Sequence, residues 1–319
     1  MRRPRVLILG LGPIGRAVAS AVLDSEDLHL VAAVDPAPEF AGRTLADVLA
    51  DDRAPRQRVA ASLAEVRPRA DVVAHLAASR FPTAEKQIRD VLSRRLPVVS
   101  TCEELIAARW RWPARARALD RAARDAAVPV LAVGVNPGFA MDVLPAAVAN
   151  VCVTVSSIEV LRRVDTSRRR RALQDKTGVG ITSAEFRRRH RESAIGHVGL
   201  RDSLIFLVNH LPLRAEVGEE RISPIVAKET VRRRGREIAA GHILGVRHRV
   251  DARDASGRVV AKVRLEMQFG HPDPGDEIRI AGDPPLHLKF AAGIPGDRAT
   301  VGSVLTGLRW APNASPGLG

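Results

Sequence analysis

The chain contains no tyrosine, and aromatic residues fill only 3% of its 319 positions. That excludes oxidoreductase mechanisms built on a Tyr-Lys acid/base pair. It also leaves little surface on which bases could stack, so nucleic acid is not the expected partner despite a formal charge of +14. Lysine is scarce as well: Lys86, Lys176, Lys228, Lys262 and Lys289 are the only five among 50 basic residues. The arginines that make up the rest are spread along most of the chain instead of forming one tract. Cys102 and Cys152, the only cysteines, lie in apolar contexts without a partner motif, which excludes a disulfide scaffold and fits a reducing, cytoplasmic setting. No apolar run is long enough to span a bilayer, and the opening MRRPRVLILG imitates a signal peptide only as far as its glycines. No metal-ligating set is assigned.

What is present is an alternation. Apolar runs at Val6–Leu9, Leu28–Val34, Val72–Leu76, Pro97–Ser100 and Val128–Val133 are separated by helix-like segments at Ile14–Leu23, Thr83–Arg94 and Ala114–Ala127. Continuously apolar strands alternating with helices predict a Rossmann-type α/β domain, a doubly wound parallel sheet over residues 1–136. After Gly134–Phe139 the grammar changes. A helix is expected over Met141–Cys152, a strand over Val153–Val164 and two helices over Ser183–Val208, split near Gly196. Strands with turn signals then fill Leu213–Phe290. That order predicts an α+β second domain over 137–292 with an open, mainly antiparallel sheet, followed by a helix and tail over 293–319.

Gly10-Leu11-Gly12-Pro13-Ile14-Gly15 fits G-x-G-x-x-G, follows a strand and opens a helix. Gly10 permits the turn, Gly12 lets backbone approach a pyrophosphate, Gly15 lets helix and strand pack, and the helix N-terminus presents N–H groups to phosphates. The next strand ends at Asp35, placed to accept hydrogen bonds from ribose hydroxyls and so to favour NAD over NADP, with NADP left open by Arg43 nearby. Ligands of such sheets sit beyond the carboxyl ends of the strands. Ala77-Ala78-Ser79, Thr101-Cys102-Glu103-Glu104 and Gly134-Val135-Asn136-Pro137 are the segments there. Glu103 and Glu104 have two readings. Ser100…Glu103 and Thr101…Glu104 each fit a capping box, and either acid is also placed to move a proton.

The order TCEEL, GVNPGFAMDVLP, RRVDTSRRRRALQDKTGVG, GHVGLRDSL and AAGIPGDRAT resembles the 2,4-diaminopentanoate dehydrogenases and related native amine dehydrogenases, whose N-terminal domain is similar to that of dihydrodipicolinate reductase. The resemblance covers about Arg5 to Leu318. It implies NAD(P)-dependent oxidative deamination of an amine, or reductive amination of a ketone or aldehyde with ammonia. It further implies a homodimer formed through the second-domain sheet, and a last helix, around Asp297–Leu308, that returns to the nucleotide domain. A glutamate of TCEEL facing the reacting nitrogen is carried over to Glu104, with Glu103 second. Adjacent helix residues point about 100° apart, so both are not expected to face one pocket. By resemblance Asn136 lies near the nicotinamide; Thr101 and Cys102 are assigned to the cofactor by their place after a strand end, and Asn136, Pro137, Arg163, Asp165, Thr177 and His197 are candidates to line the substrate pocket, each with a structural reading beside it. The His-His-x-x-Lys and Asp-Ala-Pro-Ser-Gly-Thr segments of dihydrodipicolinate reductases are missing, which argues against their reaction. Two rivals stand beside this reading: an alcohol or semialdehyde oxidoreductase of homoserine dehydrogenase type with Lys176 as acid, and a non-enzymatic nucleotide- or nucleic-acid-binding protein. The run Arg168–Arg171 is read as a solvated face or as a contact to phosphates or a partner subunit.

Overall fold

The computed structural model describes residues 3–67, 69–192 and 194–319, so Met1 and Arg2 of the signal-like opening and Ser193 of the expected helical stretch lie outside the described residues. The chain divides into two compact units: Met1–Gly138 with Pro295–Gly319, and Phe139–Ile294. The first unit begins β1 (Arg5–Leu9), α1 (Pro13–Leu23), β2 (His29–Val34), α2 (Leu45–Leu49), β3 (Val72–His75), α3 (Phe81–Leu92), β4 (Val98–Ser100), α4 (Ala108–Arg111), α5 (Pro113–Asp125) and β5 (Pro129–Ala132). The second holds α6 (Val143–Ala149), β6 (Thr154–Asp165), α7 (Arg171–Lys176), α8 (Ser183–Arg191) and α9 (Leu200–His210). It continues with β7 (Glu216–Val217), β8 (Arg221–Val226), β9 (Val231–Arg233), β10 (Arg236–Ile238), β11 (Ile243–Arg253), β12 (Val259–Gln268), β13 (Gly275–Asp283) and β14 (Leu286–Ala291). The chain then returns to the first unit with α10 (Gly296–Trp310) and β15 (Gly317–Leu318).

The first sheet is parallel throughout, in the order β2-β1-β3-β4-β5-β15. Side chains alternate across a strand, so an unbroken apolar run supplies two cores at once. Leu7, Val73, Val98 and Val130 pack with Phe81, Ile88 and Leu119 from α3 and α5. Val6, Ile8, Val72 and Val99 pack on the opposite face with Val18 and Val22 from α1 and with Val304 and Leu308 from α10. The strand order reverses at β1, since β2 lies to one side of it and β3 to the other, which opens the crevice where nucleotides bind in such sheets. The tail that reads as Pro/Gly-rich is a sixth strand. Gly317 and Gly319 donate their N–H groups to Val128 and Val130, Leu318 donates its own to Asp120, and the Leu318 side chain is buried.

In the second unit the order is β14-β13-β6-β12-β11-β7, with β8 also on β11; every pairing is antiparallel except β6 with β12. Helix α9 packs against β11 and β12, and β9 and β10 form a separate hairpin. The helix expected over Met141–Cys152 spans only Val143–Ala149, because buried Asp142 caps its start at the Val143 N–H and also accepts from Ser203 of α9. Part of the basic run expected as a solvated face starts α7 at Arg171. Many arginines are spent on ion pairs, such as Arg124–Asp120, Arg171–Asp175 and Arg188–Glu192 on helices and Arg5 with Asp71 across the chain. Among the described residues no helix is long and apolar enough to cross a membrane.

Helix α10 approaches the first sheet closely enough that a Cβ on Gly307 would stand 2.7 Å from Val99 Cγ1. Gly307→Ala is therefore expected to cost about 1–3 kcal/mol through overpacking, read as a fall of several degrees in Tm by differential scanning calorimetry.

Candidate active site

The glycine loop is built by three different demands. Gly10 has φ +101°, and a Cβ there would meet the Ala77 backbone at 2.9 Å. A Cβ on Gly15 would lie 1.9 Å from the Gly10 carbonyl oxygen. A Cβ on Gly12, by contrast, would meet nothing within 4 Å. The fold itself thus demands glycine at 10 and 15, whereas at 12 it leaves open space. Pro13 occupies the first helical turn of α1, leaving the N-terminal amides pointing outward. The Leu11 side chain is fully buried, and its N–H donates to Asp35 Oδ2 at 2.7 Å, while Ala37 N–H donates to Asp35 Oδ1 at 2.9 Å. Asp35 therefore holds the loop as well as facing the crevice. A cavity of about 500 Å³ opens here, lined among others by Gly10, Gly12, Asp35, Ala77, Gln87 and Asp90. Its size, the open side of Gly12 and the helix N-terminus fit the adenosine and pyrophosphate of a dinucleotide.

Deeper in the same edge lies a residue that the motif reading passed over. His75, at the end of β3, is fully buried with Nδ1 2.8 Å from Ser100 Oγ and Nε2 2.8 Å from Gln87 Oε1. Burial pushes its imidazole below the ordinary histidine range. A single histidine at a strand end carries no spacing signal; a polar residue closing an apolar run was the only trace.

The STCEEL segment departs from both capping-box expectations. Ser100 Oγ accepts the Cys102 N–H at 3.2 Å, and a 3₁₀ turn over Glu103–Ala107 begins with no side-chain cap. Glu104 instead reaches a different helix. It is 2% exposed; Oε2 accepts the Phe81 N–H at the start of α3 at 2.8 Å, and Oε1 accepts from Arg80 Nη1 at 2.8 Å and Arg111 Nη1 at 3.5 Å. Glu103 is half-buried on the same turn. The Cys102 thiol donates to Ser79 O, and burial, aided by the Glu103 charge, pushes it up to about 12, so it is no nucleophile near neutrality. Thr101 continues the β3 pairing through its N–H to His75 O, and Ala78 packs against the core formed with α3 and α5.

The GVNPG turn closes on itself: a Cβ on Gly134 would meet Pro137 O at 2.6 Å, and one on Gly138 would meet Gly134 N at 2.7 Å. Asn136 sits half-buried and Pro137 buried in this turn, after β5.

Within the second unit, Asp165 accepts from Ser167 N, Ser167 Oγ and Gly270 N, each at 2.9 Å. Buried Thr177 donates its hydroxyl to Gln174 O. Arg163 pairs with Asp273 at 2.9 Å. His197 lies in a loop held at its backbone: its N–H donates to Nε2 of fully buried His248, whose Nδ1 is 2.6 Å from Glu220 Oε1, and a Cβ on Gly196 would stand 3.0 Å from the His248 ring. Lys176 is exposed at the end of α7. Among the described residues no cluster of His, Cys, Asp and Glu could hold a metal ion.

Residues 139–319 match the model of the 2,4-diaminopentanoate dehydrogenase C-terminal domain. This chain belongs to the 2,4-diaminopentanoate dehydrogenase family. Membership makes it an oxidoreductase. It is 28% identical to the 2,4-diaminopentanoate dehydrogenase of Acetoanaerobium sticklandii, an alignment that covers 100% of this chain and 92% of that protein. Its fold matches the amine dehydrogenase of Mycobacterium smegmatis with TM-score 0.83 at 21% identity, covering 99% of this chain and 94% of that one. The WlbA dehydrogenase of Bordetella pertussis, solved with NADH and UDP-GlcNAcA, shares the fold more distantly, with TM-score 0.54 at 17% identity over 99% of this chain and 90% of that one.

Within this family member Gly12 and Gly15 are expected to separate by experiment. Gly15→Ala should lower Tm or prevent folding, because backbone blocks its Cβ. Gly12→Ala should leave Tm within a degree or two while raising the Kd for NADH roughly tenfold or more, measured by fluorescence titration.

Proposed function

We propose that this chain is an NAD(P)-dependent amine dehydrogenase, preferring NAD, that reductively aminates a small ketone or aldehyde with ammonia and catalyses the reverse oxidative deamination. The natural amine is 2,4-diaminopentanoate or one of similar size. The observation that carries the mechanism is that both oxygens of Glu104 are engaged, with a helix start and two arginines around them. Glu104 is thus a positioning residue that ties the β4 loop to α3. We assign the proton chemistry to Glu103, half-buried on the same turn, with Glu104 as the alternative.

The Gly10–Gly15 loop, the α1 N-terminus, Asp35 and Ala77 would hold the dinucleotide, which when bound supplies the hydride. Glu103 moves one proton from the attacking ammonia nitrogen to the carbonyl oxygen, giving the carbinolamine hydroxyl, and then donates a second, taken up from solvent, to that hydroxyl, which leaves as water. Its carboxylate then balances the positive charge of the iminium that accepts hydride at carbon. The buried, un-ionised Cys102 thiol beside it adds no competing nucleophile. Of the second-unit residues, Asp165, Thr177 and Arg163 are all engaged in bonds within that unit. A cytoplasmic setting, in which the two free cysteines stay reduced, completes the reading.

Carbonyl-dependent NADH oxidation should require ammonium across a panel of small ketones, aldehydes and 2-amino-4-oxopentanoate. Glu103→Gln should lower kcat about a hundredfold or more with NADH binding retained. Glu104→Gln should lose about 1–3 kcal/mol of stability, with a smaller loss of kcat. Equal turnover without ammonium would instead favour an alcohol dehydrogenase using Lys176, and a dead Glu104→Gln beside an active Glu103→Gln would return the proton role to Glu104.

The proposal includes a homodimer through the second-unit sheet. Helix α9 packs against β11 and β12, and alternate side chains of β6, β11 and β12 are buried. The intervening positions, among them Leu161, Arg163, Arg264 and Glu266, are half-exposed. Light scattering should give twice the chain mass, and Leu161→Arg should shift it towards one; a monomeric parent protein would refute the dimer.

A further inference from the structure

The buried His75 is unused by the proton chemistry above, and its two contacts dictate a direction. Burial keeps the imidazole neutral, so it has one N–H and one acceptor nitrogen. Gln87 meets it through Oε1, which only accepts, so the proton is on Nε2 and Nδ1 is the acceptor. The Ser100 hydroxyl therefore donates to Nδ1, and its oxygen is left to accept the Cys102 N–H. A one-way chain runs from the Cys102 amide through Ser100 and His75 to the carbonyl of the Gln87 side chain. Its last member cannot rotate without breaking a buried bond. The amide NH2 of Gln87 is thereby held away from His75, donates to no other described residue, and belongs to a side chain that lines the same cavity as Gly12 and Asp35. One turn further along α3, Asp90 lines it as well.

We infer that Gln87 is a nucleotide-recognition residue whose amide donates a hydrogen bond to the adenosine half of the cofactor, and that His75 is its positioning residue. The inference rests on the dinucleotide reading of the cavity and extends it to a residue outside the glycine motif. A fixed amide loses little rotamer entropy on binding, which is what makes one hydrogen bond count. Filling the His75 position with an apolar side chain would free Gln87 to rotate and would strand the Ser100 hydroxyl.

The test uses the full chain in the reductive direction with NADH and with reduced nicotinamide mononucleotide, which lacks the adenosine half, together with calorimetric Kd values for ADP-ribose. Gln87→Leu should lower the ratio of kcat/KM for NADH to that for the mononucleotide roughly five- to tenfold, and weaken ADP-ribose by a similar factor. Gln87→Glu, which keeps the acceptor His75 needs but replaces the amide donor with a carboxylate, should do the same even if the leucine variant folds poorly. His75→Leu should shift the ratio in the same direction. A purely structural role for Gln87 would depress both nucleotides alike and leave the ratio unchanged. That result, or an unaltered ADP-ribose Kd in both Gln87 variants, overturns the inference. If the unaltered protein binds neither NADH nor ADP-ribose, the cofactor reading itself fails, and the two failures are therefore distinguishable.

Discussion

The backbone amides exposed where parallel strands end must each find an acceptor, and the carboxyl edge of the first sheet is organised by that requirement. Three short side chains meet it. Asp35 takes the amides of Leu11 and Ala37, Ser100 takes that of Cys102, and Glu104 takes that of Phe81. Leaving any one unmet would cost about 1–3 kcal/mol, a large fraction of a marginal stability. The loops that would bind a dinucleotide are therefore held in place before any ligand arrives, and preorganisation of this kind lowers the cost of binding.

The second unit follows the same economy. Asp142 caps α6 and holds Ser203, Asp165 gathers Ser167 and Gly270, and the Glu220–His248 pair supports the loop of His197. Arg162, fully surrounded, bonds Asp276 and the Ile294 carbonyl, and the Ile294 amide returns to the same Asp276. Polar residues that stand out in the motifs as chemistry are thus often architecture. In this reading function concentrates at Glu103 and Gln87.

Much of the fold was legible in the chain. Each apolar run of the first domain became a strand within a residue or two, because two-sided burial demands continuous apolar sequence. The glycine fingerprint was legible for a different reason, since backbone approach admits no other residue at 10 and 15. What escaped was non-local. The terminal Gly317–Leu318 strand has only two residues, too few for any period to register, and exists because β5 offers it an edge. The expected capping boxes failed because Glu104 found an amide 23 residues away that local spacing cannot reveal.

Sequence by itself determined the layered α/β plan, the glycine loop, the acid at position 35 and the presence of two adjacent carboxylates at the carboxyl edge of the first sheet. Period and steric demand are local properties, and they survive being read along a line. Tertiary structure alone decided that Glu104 is consumed by Arg80, Arg111 and the start of α3, and that His75 lies beneath Gln87. Both outcomes depend on which groups the packed layers bring within about 3 Å of one another, the range over which hydrogen bonds act. Only the folded chain sets those distances.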